Sequence, residues 1–142
     1  MPWSMSSDRR VVIDTGVLVS AAIRPASVPG LALQKALLAY TVCASAETLA
    51  ELDTVLGRPK FDSYAPRAVR AAFVAGMRGH MRVFVVTQDV EDCVDPKDNK
   101  FLALADTAGA ELIVASDPHL TMLHPWRGIA IVPPAAFLVA VR

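Results

Sequence analysis

The chain has 142 residues, a length that fits one domain able to bury its own apolar core. Hydrophobic residues make up 54% of it, which argues against extended disorder. Lys plus Arg total 14 and Asp plus Glu total 14, so the formal net charge of zero gives no overall indication of nucleic-acid binding. Function therefore has to be inferred from local patterns.

The sequence also carries information about the compartment. The first ten residues contain no apolar segment typical of a signal peptide, and no apolar run reaches membrane-spanning length. The two cysteines, Cys43 and Cys93, lie far apart and form no metal-ligand pair, which is typical of a reducing compartment. Cys43 stands in an apolar stretch and is predicted to be a core residue. We therefore expect a cytoplasmic protein without membrane contact.

Hydrophobic patterns predict an alternation of strands and helices. We expect residues 1–8 to form a flexible tail and residues 9–142 to form a single domain. Short β-branched runs indicate strands, and helical periodicity with Ser, Pro or Gly at the ends indicates helices. In chain order the predicted elements are strand 9–14, helix 31–40, strand 41–45, helix 46–57, helix 67–80, strand 82–86, helix 97–109, strand 111–116, strand 128–132 and a short helix beginning at 133–134. This order predicts an α/β fold with a mostly parallel sheet and helices on both faces, whose ligands bind beyond the carboxyl ends of the strands.

Two aspartates follow predicted strands at that edge. Asp14 comes directly after Val11, Val12 and Ile13, and Asp117 comes after the strand that contains Ile113 and Val114. Each aspartate alone also fits a turn or a helix cap that binds backbone amides. Two strands that each deliver an aspartate to one edge favour a shared site.

Asp98 lies near the apolar side of its predicted helix. It projects within about 40° of the centre of the face formed by Phe101, Leu102 and Leu104, whereas Asp106 points to solvent. A carboxylate on a buried face costs free energy unless it is paired or bound to a metal. The alternative is a first-turn residue that interacts with the helix dipole.

The helix after Ser45 offers one more candidate acid. Leu49, Leu52 and Leu56 define its buried stripe. Glu51 flanks that stripe, where it can reach the sheet edge, and Glu47 lies nearly opposite and is expected to be solvated. Periodicity alone does not decide between a site role and a surface role for Glu51.

Several carboxylates close together resist ionisation, and a divalent cation removes that difficulty. Oxygen ligands without His or Cys select hard ions such as Mg²⁺ or Mn²⁺. Such an ion activates water and neutralises a phosphate. The four acids therefore point to phosphodiester hydrolysis.

Four segments in this order resemble the PIN-domain family, and in particular its branch of toxin–antitoxin toxins related to the VapC toxins. The segments are VVIDTGVLVSAA, SAETLAELDTVLGRPKF, DPKDNKFLALA and LIVASDPHL, and the resemblance covers roughly residues 9–140. It implies a three-layer α/β/α sandwich with a central five-stranded parallel sheet. It also implies a Mg²⁺- or Mn²⁺-dependent endoribonuclease with RNA as substrate, a small antitoxin protein as partner and a homodimeric assembly.

The resemblance assigns roles to residues. The four family acids fall on Asp14, Glu51, Asp98 and Asp117 as catalytic residues and metal ligands, and Asp95 matches an extra acid that holds a metal-bound water. Supporting residues are Thr15, Ser116 and Asn99. Substrate contacts are assigned to Arg24, in the predicted loop after the first strand, and to Arg58, Lys60 and His119. Arg58 also fits a partner for a helix C-terminus, and His119 fits a surface residue at a helix start.

Two positions depart from the family pattern. Gly16 stands where the family usually has asparagine, and Ala115 stands where it usually has Thr or Ser. Ser116 can supply a hydroxyl instead. These departures leave an alternative open, a weakly active or inactive PIN-like module that binds RNA or protein.

Overall fold

The computed structural model describes residues 8–140. Most of the predicted tail, and the last two residues of the predicted domain, lie outside the described residues. Asp8 is described, and its carboxylate accepts hydrogen bonds from the Arg10 guanidinium.

Five strands and seven α-helices make up the described part of the chain. The strands are β1 (Arg10–Ile13), β2 (Thr41–Ala44), β3 (Met81–Val83), β4 (Leu112–Val114) and β5 (Ala130–Val132). The helices are α1 (Thr15–Ile23), α2 (Val28–Ala39), α3 (Ala46–Leu56), α4 (Arg67–His80), α5 (Asn99–Ala108), α6 (Pro118–Thr121) and α7 (Pro134–Val139). Short 3₁₀ helices span Pro59–Phe61 and Pro96–Asp98.

The five strands form one parallel sheet in the order β3-β2-β1-β4-β5. β1 lies at the centre, where Val12 faces Cys43 of β2 in register on one side and Ile113 of β4 on the other. The order reverses on either side of β1, and in such sheets the crevice beyond that point is the usual ligand site.

Alternate residues of β1 enter two separate cores. Val11 and Ile13 pack with residues of α1, α2, α3, α4 and α7 on one face. Val12 packs with Cys43 and with residues of α5 and α6 on the other. The period of two in a strand sends successive side chains to opposite faces, and here helices cover both. The predicted three-layer α/β/α sandwich with a five-stranded parallel sheet is confirmed.

Three predicted elements need correction. Residues 15–23 form helix α1, so Arg24 caps the end of a helix instead of lying in a loop directly after β1. β3 ends at Val83, and only the amide of Phe84 continues the pairing, by donating to the Ala44 carbonyl at 2.8 Å. The predicted helix 97–109 is divided into the 3₁₀ turn Pro96–Asp98 and α5.

Cys43 is buried in the core as predicted, and burial raises the pKa of its thiol to about 11. Within residues 8–140, no single helix is long and apolar enough to cross a membrane. Helices α1 and α2 together have sufficient length and composition, but they meet at a bend of 107°.

Candidate metal centre

Asp14 joins the carboxyl ends of β1 and β4. Its Oδ1 accepts a hydrogen bond from the Val17 amide at 2.9 Å, which caps α1. Its Oδ2 accepts from the amides of Ser116 at 2.9 Å and Asp117 at 3.3 Å. Burial raises the pKa of Asp14, and the three amide donors oppose that shift. A carboxylate has about four lone-pair positions, so one remains for a further ligand.

An acidic cleft of about 380 Å³ opens at this edge of the sheet. The side chains of all four predicted catalytic acids line it together with Asp95. The other lining residues are Thr15, Gly16, Lys97, Phe101, Ser116 and Pro118. The fold therefore brings together residues that lie up to a hundred positions apart in the sequence.

Asp98 is the most constrained of these acids. It is the last residue of the 3₁₀ turn Pro96–Asp98, directly before α5, and is only 8% exposed. Its Oδ2 is buried, and no described residue offers it a hydrogen bond. Carboxylate oxygens of Asp95, Asp98 and Asp117 and a ring nitrogen of His119 all lie within 4.8 Å of one another. A buried oxygen without a donor, beside two further carboxylates, fits a hard divalent cation.

Asp98 and Asp117 influence each other's ionisation. Burial and the neighbouring Asp117 carboxylate raise the pKa of Asp98 to about 7. The interaction with Asp98 lowers the pKa of Asp117, and the amide and ring of His119 act in the same direction. Below about pH 7 and in the absence of metal, the pair therefore tends to hold one proton between its two carboxylates.

Glu51 approaches the cleft from α3. Its Oε1 accepts a hydrogen bond from the Thr15 hydroxyl at 2.6 Å, and its Oε2 lies 3.3 Å from the Lys100 ammonium. Glu47 is exposed, as predicted. The predicted supporting residue Thr15 therefore contacts a predicted catalytic acid directly.

The segment before α5 is held by two side chains. Asp95 Oδ1 accepts from the Lys97 amide at 3.1 Å and caps the 3₁₀ turn. Asn99 Oδ1 accepts from the Cys93 amide at 2.8 Å. Asn99 does not line the acidic cleft, and its observed contact fixes the loop that carries Asp95 and Asp98.

The predicted substrate contacts lie at different places. His119 adjoins the acids, with its amide donating to Asp117 at 2.9 Å and its ring Nδ1 at 3.6 Å from the same oxygen. Arg24 stacks over the Tyr64 ring at 5.7 Å, in a separate groove lined also by Phe61. Arg58 and Lys60 are exposed and lie outside the lining of the acidic cleft.

Two lysines near the acids were missed by the sequence interpretation. Lys97 lines the cleft, and Lys100 pairs with Glu51. Both lie in the segment DPKDNK, where they alternate with the acids. That interleaving was a usable signal for Lys97. The partner of Lys100 is 49 residues away, and only the tertiary structure reveals it.

Known proteins share both the sequence pattern and the fold of this chain. A family model described as "PIN domain" matches residues 10–119. No curated protein matches the chain significantly.

Solved structures share the fold at low sequence identity. A protein named PAE2754 from Pyrobaculum aerophilum matches with a TM-score of 0.63 and 14% identity over 92% of this chain and 88% of that one. A chain of VapBC2 from Rickettsia felis, solved with a DNA fragment of its promoter, matches with a TM-score of 0.59 and 10% identity over 86% and 96%. VapC20 from Mycobacterium tuberculosis, a toxin that cleaves the sarcin-ricin loop, matches with a TM-score of 0.54 and 13% identity over 84% and 98%.

Proposed function

Since the chain belongs to the PIN-domain family, whose members are usually nucleases, we propose that it is a Mg²⁺- or Mn²⁺-dependent endoribonuclease. The observation that carries the proposal is the buried Asp98 oxygen without a donor, in a cluster of three carboxylates and the His119 ring at the sheet edge. A carboxylate in that position is costly in the free protein and is stabilised by a bound cation.

Asp98 and Asp117 would hold the cation together with the remaining lone pair of Asp14, and Asp95 would hold one of its waters. The bound ion supplies activation of water and neutralisation of phosphate charge. Asp14 joins the end of β1 to the end of β4 through the amides of Ser116 and Asp117. Glu51, oriented by the Thr15 hydroxyl and paired with Lys100, lines the same cleft and would contribute negative charge beside the cation and the substrate phosphate.

We further propose that the substrate is RNA and that the protein acts as the toxin of a toxin–antitoxin pair, with a small antitoxin as partner. The shared fold with VapC20 and with a VapBC2 chain supports this proposal. A short antitoxin-like reading frame beside the gene, and growth arrest relieved by its co-expression, are the expected observations. Growth unaffected by the chain alone would contradict the toxin role without touching the nuclease proposal.

The nuclease proposal is tested with the purified full chain and labelled RNA. We expect cleavage in Mn²⁺ or Mg²⁺, none in EDTA, and recovery when Mn²⁺ is restored. Glu51→Gln should lower the rate by about 100-fold, the order found when a charged group near a reacting phosphate is lost. Glu47→Gln, an exposed position on the same helix, is the matched control and should cleave like the parent.

The same assay separates the nuclease from a non-catalytic PIN-like module. RNA that is bound but left intact under every metal condition would favour the binding module. Cleavage that persists in EDTA would contradict the metal-dependent mechanism.

A further inference from the structure

Lys100 makes a contact that the proposed chemistry does not use. Its Nζ lies 3.3 Å from Glu51 Oε2 and also donates to the Lys97 carbonyl. The side chains of Lys100 and Glu51 are only 14% and 22% exposed. Lys100 belongs to α5 and Glu51 to α3, so the pair joins helices from opposite faces of the sheet beside the acidic cleft. A pair this shielded from water is screened less by salt than a surface pair.

The carboxylates of the cleft therefore fall into two groups. Both oxygens of Glu51 are engaged, one by the Thr15 hydroxyl and the other by the Lys100 ammonium. Asp98 and Asp117, by contrast, lie within 4.8 Å of each other and of Asp95, and the buried oxygen of Asp98 receives no hydrogen bond from the described residues. Glu51 is already paired with a lysine, whereas the buried oxygen of Asp98 receives no hydrogen bond from the described residues.

We infer that Lys100 is a built-in counter-cation for Glu51 and that it limits this cleft to one divalent metal ion. The inference rests on the proposed metal-dependent function. In two-metal sites, carboxylates hold a second ion about 3.5–4 Å from the first. A second ion held by Glu51 would lie beside the ammonium group of Lys100, and repulsion between the two cations in a partly buried site opposes its binding.

Removal of the Lys100 charge would remove the repulsion that opposes a second cation at Glu51. Glu51 would then be a partly buried carboxylate without its ammonium partner, in a cleft with four further acids, and a divalent cation could bind it instead. Lys100→Gln keeps a donor for the Lys97 carbonyl and removes the charge. Lys100→Arg keeps the charge. Both variants keep a hydrogen-bond donor at position 100, and only Lys100→Arg keeps the positive charge.

The test counts bound Mn²⁺ by titration calorimetry and by electron paramagnetic resonance, in the absence of RNA. We expect one Mn²⁺ per chain for the parent and for Lys100→Arg. Lys100→Gln should bind two, with the coupled spectrum of neighbouring ions, and the double variant Lys100→Gln/Glu51→Gln should return to one. Thermal melts establish that each variant is folded, and Lys100→Met replaces Lys100→Gln if that variant does not fold.

Two Mn²⁺ per chain in the parent would overturn the inference, and so would one Mn²⁺ in Lys100→Gln. If Lys100 served the substrate instead, Lys100→Gln would weaken RNA binding while its Mn²⁺ count stayed at one, which also overturns it. These outcomes differ from failure of the proposed function, which would appear as no Mn²⁺ bound and no metal-dependent cleavage in the parent.

Discussion

The hydroxyl oxygen of Ser116 lies 2.7 Å from the point where a Cβ atom on Gly16 would stand. A separation this short is not tolerated between real atoms, so the Ser116 hydroxyl occupies the space that a side chain at position 16 would need. The glycine at position 16 is therefore linked to Ser116, whose hydroxyl was expected to replace the one missing at Ala115. Where the family places an asparagine, this chain places a glycine and lets the hydroxyl of Ser116 line the cleft from the neighbouring strand end.

A double-mutant cycle tests this link. Gly16→Ala forces the Ser116 hydroxyl into another rotamer, and Ser116→Ala removes it. Each change should lower RNA cleavage by about tenfold, the order expected for a residue that supports a metal ligand. The double variant should be no slower than either single variant, because both remove the same hydroxyl from its place.

Gly76→Ala is the control for the glycine change, since a Cβ at Gly76 meets nothing within 4 Å. It should leave cleavage unchanged and raise stability by up to about 1 kcal/mol through helix propensity alone. Cleavage losses that multiply in the Gly16→Ala/Ser116→Ala variant would show that the two residues act independently.

Among the arginines and lysines of residues 8–140, we expect removal of the Arg70 side chain to lower the free energy of unfolding most, because Arg70 is buried. It is 2% exposed and donates to the carbonyls of Ala65, Leu56 and Arg58, and it also pairs with Asp62. Arg70→Met would remove this buried donor from the carbonyls of Ala65 and Leu56 and should lower the free energy of unfolding by about 3 kcal/mol or more.

Chemical denaturation measures the effect of Arg70→Met. Arg67→Met, an exposed position in the same helix, should change stability by no more than about 0.5 kcal/mol. Equal stability of the two variants would mean that the segment after α3 does not depend on Arg70.

Binding of RNA should weaken steeply as salt rises. Each contact between a basic side chain and a phosphate contributes about −0.7 to the slope of log affinity against log salt for a single strand. Lys97→Gln should therefore reduce the slope by about that amount, and Arg24→Gln, Arg58→Gln and Lys60→Gln test the remaining proposed contacts one at a time. Arg78→Gln, exposed on α4, is the control. A salt-independent affinity would contradict electrostatic guidance of the substrate.

Stability of the metal-free protein should depend on the ionisation of Asp98. Its pKa is raised to about 7 in the folded state from 3.8, so the folded state binds the proton more tightly than the unfolded state. The contribution of this group to stability is therefore present at low pH and declines as pH rises from about 4 to about 7. Relative to the parent, Asp98→Asn should gain melting temperature across that window and keep the gain above it.

The affinity for Mn²⁺ should also depend on pH, and it should rise as Asp98 loses its proton. The cation binds the ionised carboxylate, so below pH 7 it competes with the Asp98 proton. The affinity should rise by about tenfold per pH unit up to about pH 7 and level off above it. Titration calorimetry at pH 5.5, 6.5 and 8 measures the affinity for Mn²⁺ at each pH. Affinity independent of pH would show that Asp98 is not protonated in the free site.

Much of the fold and of the site geometry was accessible from the sequence. The short apolar runs predicted the strands of the parallel sheet. Because Asp14 and Asp117 follow two of these runs, both were predicted at the carboxyl edge of the sheet, where they line the cleft. Helical periodicity placed Asp98 on the buried side of its helix, where the structure has it.

Other features could not be predicted, for physical reasons. Helix α1 is apolar over almost its whole length, with a Thr and a Ser as its only hydroxyl side chains, so it lacks the polar face that makes a helix recognisable by its period. The pairing of Lys100 with Glu51 is a contact between distant segments, and no local pattern encodes it. Basic residues in the RPKF segment were predicted near the acids, whereas the cleft is lined by Lys97.

Cleavage of RNA by Asp98→Asn tests most directly whether Asp98 and its neighbours bind a catalytic cation. The variant keeps the shape of the side chain and removes its charge. Cleavage rates and thermal melts are measured for parent, Asp98→Asn and Asp106→Asn, with and without Mn²⁺. Asp106 lies on the exposed face of α5, the helix that Asp98 precedes. Its carboxylate accepts hydrogen bonds from Arg127 and Gln88, and the amide oxygen of an asparagine there can still accept.

We predict that Asp98→Asn folds, loses most of the stabilisation by Mn²⁺, and cleaves RNA at least about 100-fold more slowly than the parent. Asp106→Asn should match the parent in both measurements. Parent-like cleavage by Asp98→Asn in Mn²⁺ would contradict the metal centre described here.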